Sequence, residues 1–158
     1  MLLNTNHVRC LIVEDDAFKL EGIQGYLDSV FTGTLEISIC QALASATALL
    51  ESRTFDLAII DMSIHSHEPE AGSGSPFPLS SGGLDVLFTI AHSETGANTH
   101  CIILTQYPDI EIDSLPIPVE QAKQEILETF DINVAGCVRY LENDNQWKAD
   151  LYSILESL

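Results

Sequence analysis

Positive charge is what this sequence has least of. Its 158 residues carry 24 Asp and Glu against 6 Lys and Arg, a net charge of −18. A field of that sign repels phosphate backbones and anionic membrane surfaces, so direct nucleic-acid binding is excluded. Long apolar runs are also missing: nothing approaches the roughly 18 to 20 residues that a membrane span needs. The first residues lack the basic, apolar and small-residue order of a signal peptide. The expectation is a soluble, cytoplasmic protein without membrane insertion. The four cysteines, Cys10, Cys40, Cys101 and Cys137, form no C-x-x-C pair, the spacing on which zinc and redox motifs rely. Each falls in a predicted strand, which makes them small core residues. No G-x-x-x-x-G-K-S/T or G-x-G-x-x-G follows a strand, so a nucleotide-cradling loop is absent.

What is present is an alternation of strand and helix patterns in a chain the size of one domain. The apolar run Val8 to Val13 predicts a strand. From Asp16 to Phe31, the residues Phe18, Leu20, Ile23, Tyr26, Leu27 and Val30 recur at helical spacing. Leu35 to Cys40 alternates as a strand does, and Gln41 to Arg53 places Ala42, Ala46, Leu49 and Leu50 on one helix face. Phe55 to Ile60 is the near-continuous run of a strand covered on both faces, and it stops at Asp61. The stretch Met62 to Gly82 is loop-like, unusually long and rich in Gly, Ser and Pro. A helix resumes through Leu84, Leu87, Phe88 and Ala91. Cys101 to Leu104 is a fourth strand ending at Thr105, Tyr107 to Pro118 a proline-punctuated connection, Val119 to Phe130 a helix, and Val134 to Tyr140 a fifth strand. Trp147, Leu151, Ile154, Leu155 and Leu158 stripe a final helix.

Such alternation predicts an α/β fold: a doubly wound, five-stranded parallel sheet of flavodoxin-like type with helices on both faces. Ligands of such sheets gather at the carboxyl ends of the strands, near the point where strand order switches. The first strand ends in Glu14-Asp15-Asp16, the third in Asp61, the fourth in Thr105 and the fifth in Arg139-Tyr140. Carboxylates brought together repel one another unless a cation sits between them, and hard oxygen ligands suit Mg²⁺. Solvated acids at strand ends are the plainer alternative.

In these motifs the chain resembles the receiver domains of two-component response regulators. Leu11-Ile12-Val13-Glu14-Asp15-Asp16 is similar to the family's first strand and acidic pair. Phe55-Asp56-Leu57-Ala58-Ile59-Ile60-Asp61 is similar to its phosphoacceptor strand, and Ile102-Ile103-Leu104-Thr105 to the strand bearing its switch hydroxyl. Gly83-Leu84-Asp85-Val86-Leu87 matches the glycine that opens the third helix. The resemblance implies that Asp61 accepts a phosphoryl group from a phosphohistidine, that Glu14, Asp15, Asp61 and the Ser63 carbonyl hold Mg²⁺, and that Thr105 bonds the phosphoryl oxygens. It further implies a phosphoprotein of a phosphorelay, a signalling switch rather than an enzyme. Its partners would be a histidine kinase or phosphotransfer protein and a downstream protein met on the face of the fourth helix, fifth strand and fifth helix.

Two departures matter. Tyr140 stands where the family places a lysine, with Arg139 reaching the pocket only if the register slips by one. Cys137 stands where the family's switching aromatic falls. These departures favour an alternative, a pseudo-receiver interaction module that phosphorylation does not switch. A flavodoxin-like enzyme would need a cofactor loop that is not there. The expected organisation is one receiver-like domain over 1–158, with insertions at about 62–82 and 106–118 and no effector segment after the fifth helix. Within the first insertion, His65, His67, Glu68 and Glu70 could suit a transition metal or belong to a solvated, mobile loop. If it is mobile, a short linker in place of Glu70 to Ser81 leaves the fold intact.

Overall fold

The computed structural model describes residues 1–158. Along the chain come β1 (His7–Val13), α1 (Ala17–Val30), β2 (Thr34–Cys40), α2 (Leu43–Ser52), β3 (Leu57–Ile60), the short strands β4 (Ile64–His65) and β5 (Pro78–Leu79), and α3 (Gly82–Ala91). Then follow β6 (His100–Thr105), β7 (Asp109–Ile112), β8 (Leu115–Pro118), α4 (Val119–Phe130), β9 (Gly136–Arg139) and α5 (Gln146–Ser157). Five strands form one parallel sheet in the order β2-β1-β3-β6-β9. This is the doubly wound, flavodoxin-like order, and it reverses between β1 and β3. The ends of those two strands therefore flank the crevice in which such folds bind ligands.

Alternation along each strand sorts the core into two layers. Leu11, Val13, Ala58, Ile60, Cys101 and Ile103 face the layer closed by α2, α3 and α4. Cys10, Ile12, Leu57, Ile59, Ile102 and Leu104 face the layer closed by α1 and α5. The cysteines are free; Cys10, Cys40 and Cys101 are buried and Cys137 partly so. Burial raises the thiols of Cys101 and Cys137 to about 12, so they act as small apolar groups.

Helix α1 departs from its sequence pattern at its first turn. Phe18 is 61% exposed, while Lys19 is 1% exposed. At 3.6 residues per turn, Lys19 lies inside the stripe of Ile23, Tyr26, Leu27 and Val30, and Phe18 lies roughly 140° from its centre. Asp16 caps the helix by accepting the Lys19 N–H at 2.8 Å, which fixes where that turn begins.

The two long connections are built structures rather than bare loops. Asp109–Ile112 and Leu115–Pro118 pair antiparallel around Asp113 and Ser114, both with positive φ (50° and 64°). Two such residues in succession make the turn that matches strand twist. Ile110 and Ile112 are buried beneath it.

In the other connection β4 pairs with β5, and Ile64 is buried against the start of α3. The Ser66 N–H donates to the Phe77 carbonyl at 2.9 Å, and the Ala44 N–H to that of Ser66 at 3.0 Å. The expectation of a 62–82 loop that is mobile or ordered by a partner is narrowed: its base is packed at Met62 and Ile64, and its longest exposed run is residues 69–75. Excising Glu70 to Ser75 with a two-glycine joint should change stability by less than about 1 kcal/mol. A cut carried through Leu79 removes the ladder and should cost clearly more. Thermal melts of the two deletions check this, and equal melting points would show that the ladder contributes nothing.

Candidate functional site at the carboxyl end of the sheet

Three carboxylates meet at the strand-order switch. Ligand atoms of Glu14, Asp15 and Asp61 all lie within 4.8 Å of one another. Glu14 and Asp15 follow β1 directly, and Asp61 follows β3, whose backbone it continues by donating its N–H to the Val13 carbonyl at 2.9 Å. Glu14 (1% exposed) and Asp61 (5%) are buried, while Asp15 is half-buried. Each carboxylate is oriented. Glu14 Oε1 accepts the Asp16 N–H at 2.9 Å, Asp61 Oδ1 accepts the Met62 N–H at 2.8 Å, and Asp15 Oδ2 lies 2.6 Å from His65 Nδ1.

The cation among them is Lys19, which the sequence reading passed over. Its Nζ lies 2.6 Å from Glu14 Oε2 and 3.3 Å from Asp61 Oδ1, and it donates to the Leu104 carbonyl at 2.7 Å. The short, fully buried contact with Glu14 Oε2 is a charge-assisted pair, so the ammonium occupies that oxygen as well as Asp61 Oδ1. One positive charge is thus shared by two buried carboxylates. Burial accordingly pushes the Glu14 carboxyl up to about 7, against the pull of Lys19 and with a further rise from Asp61. Burial also raises Asp61, with Lys19 and the Met62 N–H opposing it. The signal for Lys19 was its place inside the apolar stripe of α1, one residue past the helix cap.

The other predicted residues take distinct places. Thr105, fully buried at the end of β6, has its hydroxyl oxygen 3.3 Å from the Tyr107 N–H that it accepts. Ser63 is half-buried two residues beyond Asp61. Tyr140 lies on the α1/α5 side of the sheet, its ring centroid 5.0 Å from that of Trp147 and 5.8 Å from Lys19 Nζ. Its hydroxyl approaches Gly22, one turn along α1 from Lys19. Arg139 pairs with Thr105 in register and is exposed, so the one-residue slip does not occur. Around the first connection, Glu68 accepts from Ser45 Oγ at 2.6 Å and from the Gln41 N–H, His67 pairs with Ser66, and Glu70 is exposed. His65, His67 and Glu68 line one cavity with Asp15, but the ligand atoms that gather closely enough to share an ion are those of Glu14, Asp15 and Asp61.

Three hard carboxylate donors whose ligand atoms lie within 4.8 Å of one another fit a divalent cation of the Mg²⁺ type. No helix is long and apolar enough to cross a membrane.

No family model matches the chain. Among solved structures, the fold is that of response-regulator receiver domains. The Mn²⁺-bound form of response regulator Rcp1 aligns with a TM-score of 0.64 at 16% identity, over 96% of each chain. The receiver domain of a sensor histidine kinase from Pseudomonas aeruginosa, solved with magnesium in its active site cleft, aligns with a TM-score of 0.57 at 16% identity, also over 96% of each. Sequence relatives are narrower. A Detocs response regulatory protein, DtcB, of Vibrio alginolyticus is 33% identical over 148 residues, 93% of this chain and 99% of the relative. A DtcB protein of Enterobacter cloacae is 25% identical over 96% of this chain and 100% of its own length. The chain belongs to the response-regulator receiver family, in the line of these Detocs response regulatory proteins.

Proposed function

We propose that the protein is a phosphoacceptor receiver in which Asp61 takes a phosphoryl group from a phosphohistidine and relays the change to a protein partner. The observation that carries this reading is the setting of Asp61: buried at the end of β3, with Met62 N–H and Lys19 both on Oδ1. That arrangement leaves Oδ2 as the attacking atom. An Oδ2–P bond forms as the N–P bond of the donor breaks, and the electron pair of that bond returns to the imidazole nitrogen. Little covalent chemistry is asked of the protein, so positioning and charge compensation do the catalysis.

Glu14, Asp15, Asp61 and the Ser63 carbonyl would hold Mg²⁺, which supplies compensation for the charge on the carboxylate and the phosphoryl oxygens. Thr105, at the end of the neighbouring strand, would receive a phosphoryl oxygen through its hydroxyl. From there the change would reach the face formed by α4, β9 and α5, where a downstream protein docks. A histidine kinase or phosphotransfer protein would be the donor, in the cytoplasm. The pseudo-receiver alternative drew on the missing strand-five lysine and on Cys137 in place of the switching aromatic; the ammonium beside Asp61 weighs against the first of these, and the second stands.

The test is a mass spectrum of the full chain after incubation with Mg²⁺ and phosphoramidate. A gain of one phosphoryl group in wild type, absent from Asp61→Asn, is expected. An unmodified wild-type chain, or equal modification of the variant, overturns the reading.

A further inference from the structure

We propose that Lys19 is the phosphoryl-binding cation of this receiver, delivered from the first turn of α1 instead of from the end of the fifth sheet strand, with Tyr140 filling the vacated position. This rests on the reading of Asp61 as phosphoacceptor. The chain has only six Lys and Arg residues, and it places one of them 1% exposed on a helix face otherwise given to Leu20, Ile23 and Leu27. Stability is a weak reason for that choice. A buried ion pair roughly breaks even with apolar residues of similar volume, and leucine would continue the stripe. What the lysine adds is an ammonium 3.3 Å from the acceptor carboxylate.

Tyr140 shows how the exchange is accommodated. Its ring fills the space between β9 and α1, against Trp147 and alongside Lys19. Gly22 lets the helix come close, because a Cβ there would meet the tyrosine hydroxyl at 3.3 Å. The phenol thus occupies the route a strand-borne side chain would take, and the ammonium reaches the pocket from the helix side.

The anchor of Lys19 gives the cation a second role. Its Nζ donates to the carbonyl of Leu104, the residue before Thr105. A phosphoryl group on Asp61 brings further negative oxygens to the same ammonium. The bond to the Leu104 carbonyl is charge-assisted by the ammonium alone, whereas a phosphoryl oxygen adds a full opposite charge, whose attraction is strong in a buried pocket. The ammonium is drawn toward the phosphoryl group, and its hold on β6 weakens beside the switch hydroxyl. The first turn of α1 and the end of β6 are coupled through one side chain.

The experiment uses the full chain with Mg²⁺ and either phosphoramidate or beryllofluoride. Lys19→Met keeps the length and removes the charge. It should slow Asp61 phosphorylation by roughly tenfold or more, and Lys19→Arg should recover part of the rate. Phosphorylation of Lys19→Met at the wild-type rate overturns the inference while leaving the receiver reading intact. Should Lys19→Met fail to fold, wild type decides. Its three lysines, Lys19, Lys123 and Lys148, give three side-chain signals when lysine is isotope-labelled. Beryllofluoride should move that of Lys19 far more than the other two. An unmoved Lys19 signal on a chain whose Asp61 accepts phosphoramidate overturns the inference, and a wild-type Asp61 that accepts nothing overturns both readings.

Discussion

In chelator, the wild-type protein should lose stability as pH rises from about 4.5 to about 7, and Glu14→Gln should largely abolish that loss. The Glu14 carboxyl stands at about 7 in the folded protein against an ordinary value of 4.5. Across that interval the folded state holds a proton that the unfolded chain has released, so stability falls with rising pH. The contribution is complete below the lower value and gone above the upper one. Integrated over the interval it is on the order of 3 kcal/mol. Asp61 is displaced in the same direction by burial, which deepens the fall. Glutamine keeps the acceptor for the Asp16 N–H and leaves Lys19 to Asp61 alone, so the buried charges balance one to one. Urea midpoints at pH 5 and pH 8 measure the effect. The wild-type midpoint should drop between them, and that of Glu14→Gln should move much less and exceed wild type at pH 8. On the proposed reading Mg²⁺ would bind the deprotonated carboxylates, so adding it should restore wild type chiefly at the higher pH. An equal pH slope in both proteins would mean that Lys19 holds Glu14 ionised outright.

The same cluster marks how far the sequence could be read. The five sheet strands, the helices between them and the acids at the ends of β1 and β3 were legible because burial on both faces writes near-continuous apolar runs that stop abruptly at charge. The two hairpins were not. β4 and β5 have two residues each and β8 contains Pro116 and Pro118, too little pattern against a background of turn residues. The Asp113-Ser114 turn lacks the Asn-Gly that would announce it. Lys19 escaped for a different reason. A charged residue inside an apolar stripe is ordinarily assigned to solvent, and only the partners supplied at the ends of three strands, β1, β3 and β6, make its burial tolerable. Conversely, the alternation argument placed Arg139 and Tyr140 on opposite sides of the sheet, as they are. It could not say that the Tyr140 ring would turn toward Trp147 and leave the pocket to a helix.

Gly83→Ala should be the most damaging conservative substitution near the site, costing at least about 2 kcal/mol and disabling Asp61 as well. Gly83 does not need a left-handed backbone; it needs space. Its N–H donates to the Met62 carbonyl at 2.9 Å, which draws the start of α3 onto the end of β3. A Cβ there would stand 2.2 Å from the Asp61 carbonyl oxygen and 2.8 Å from Met62 Cα. These are backbone atoms and cannot swing aside. Asp61 is held on its other side by its N–H bond to the Val13 carbonyl, and its side chain by Met62 and Lys19. Relief therefore requires α3 to retreat or the Asp61–Met62 peptide to rotate. A retreat opens the layer holding Leu84 and Leu87, and a rotation moves the carboxylate away from Lys19. Gly25→Ala is the matched control, since a Cβ at that position of α1 meets nothing within 4 Å. It should raise stability by roughly 0.5 to 1 kcal/mol, the usual preference for alanine inside a helix. Urea unfolding and the phosphoramidate reaction on both variants give the comparison. If Gly83→Ala unfolds and reacts like wild type, the start of α3 yields freely, and the close approach of helix to strand does not set the position of Asp61.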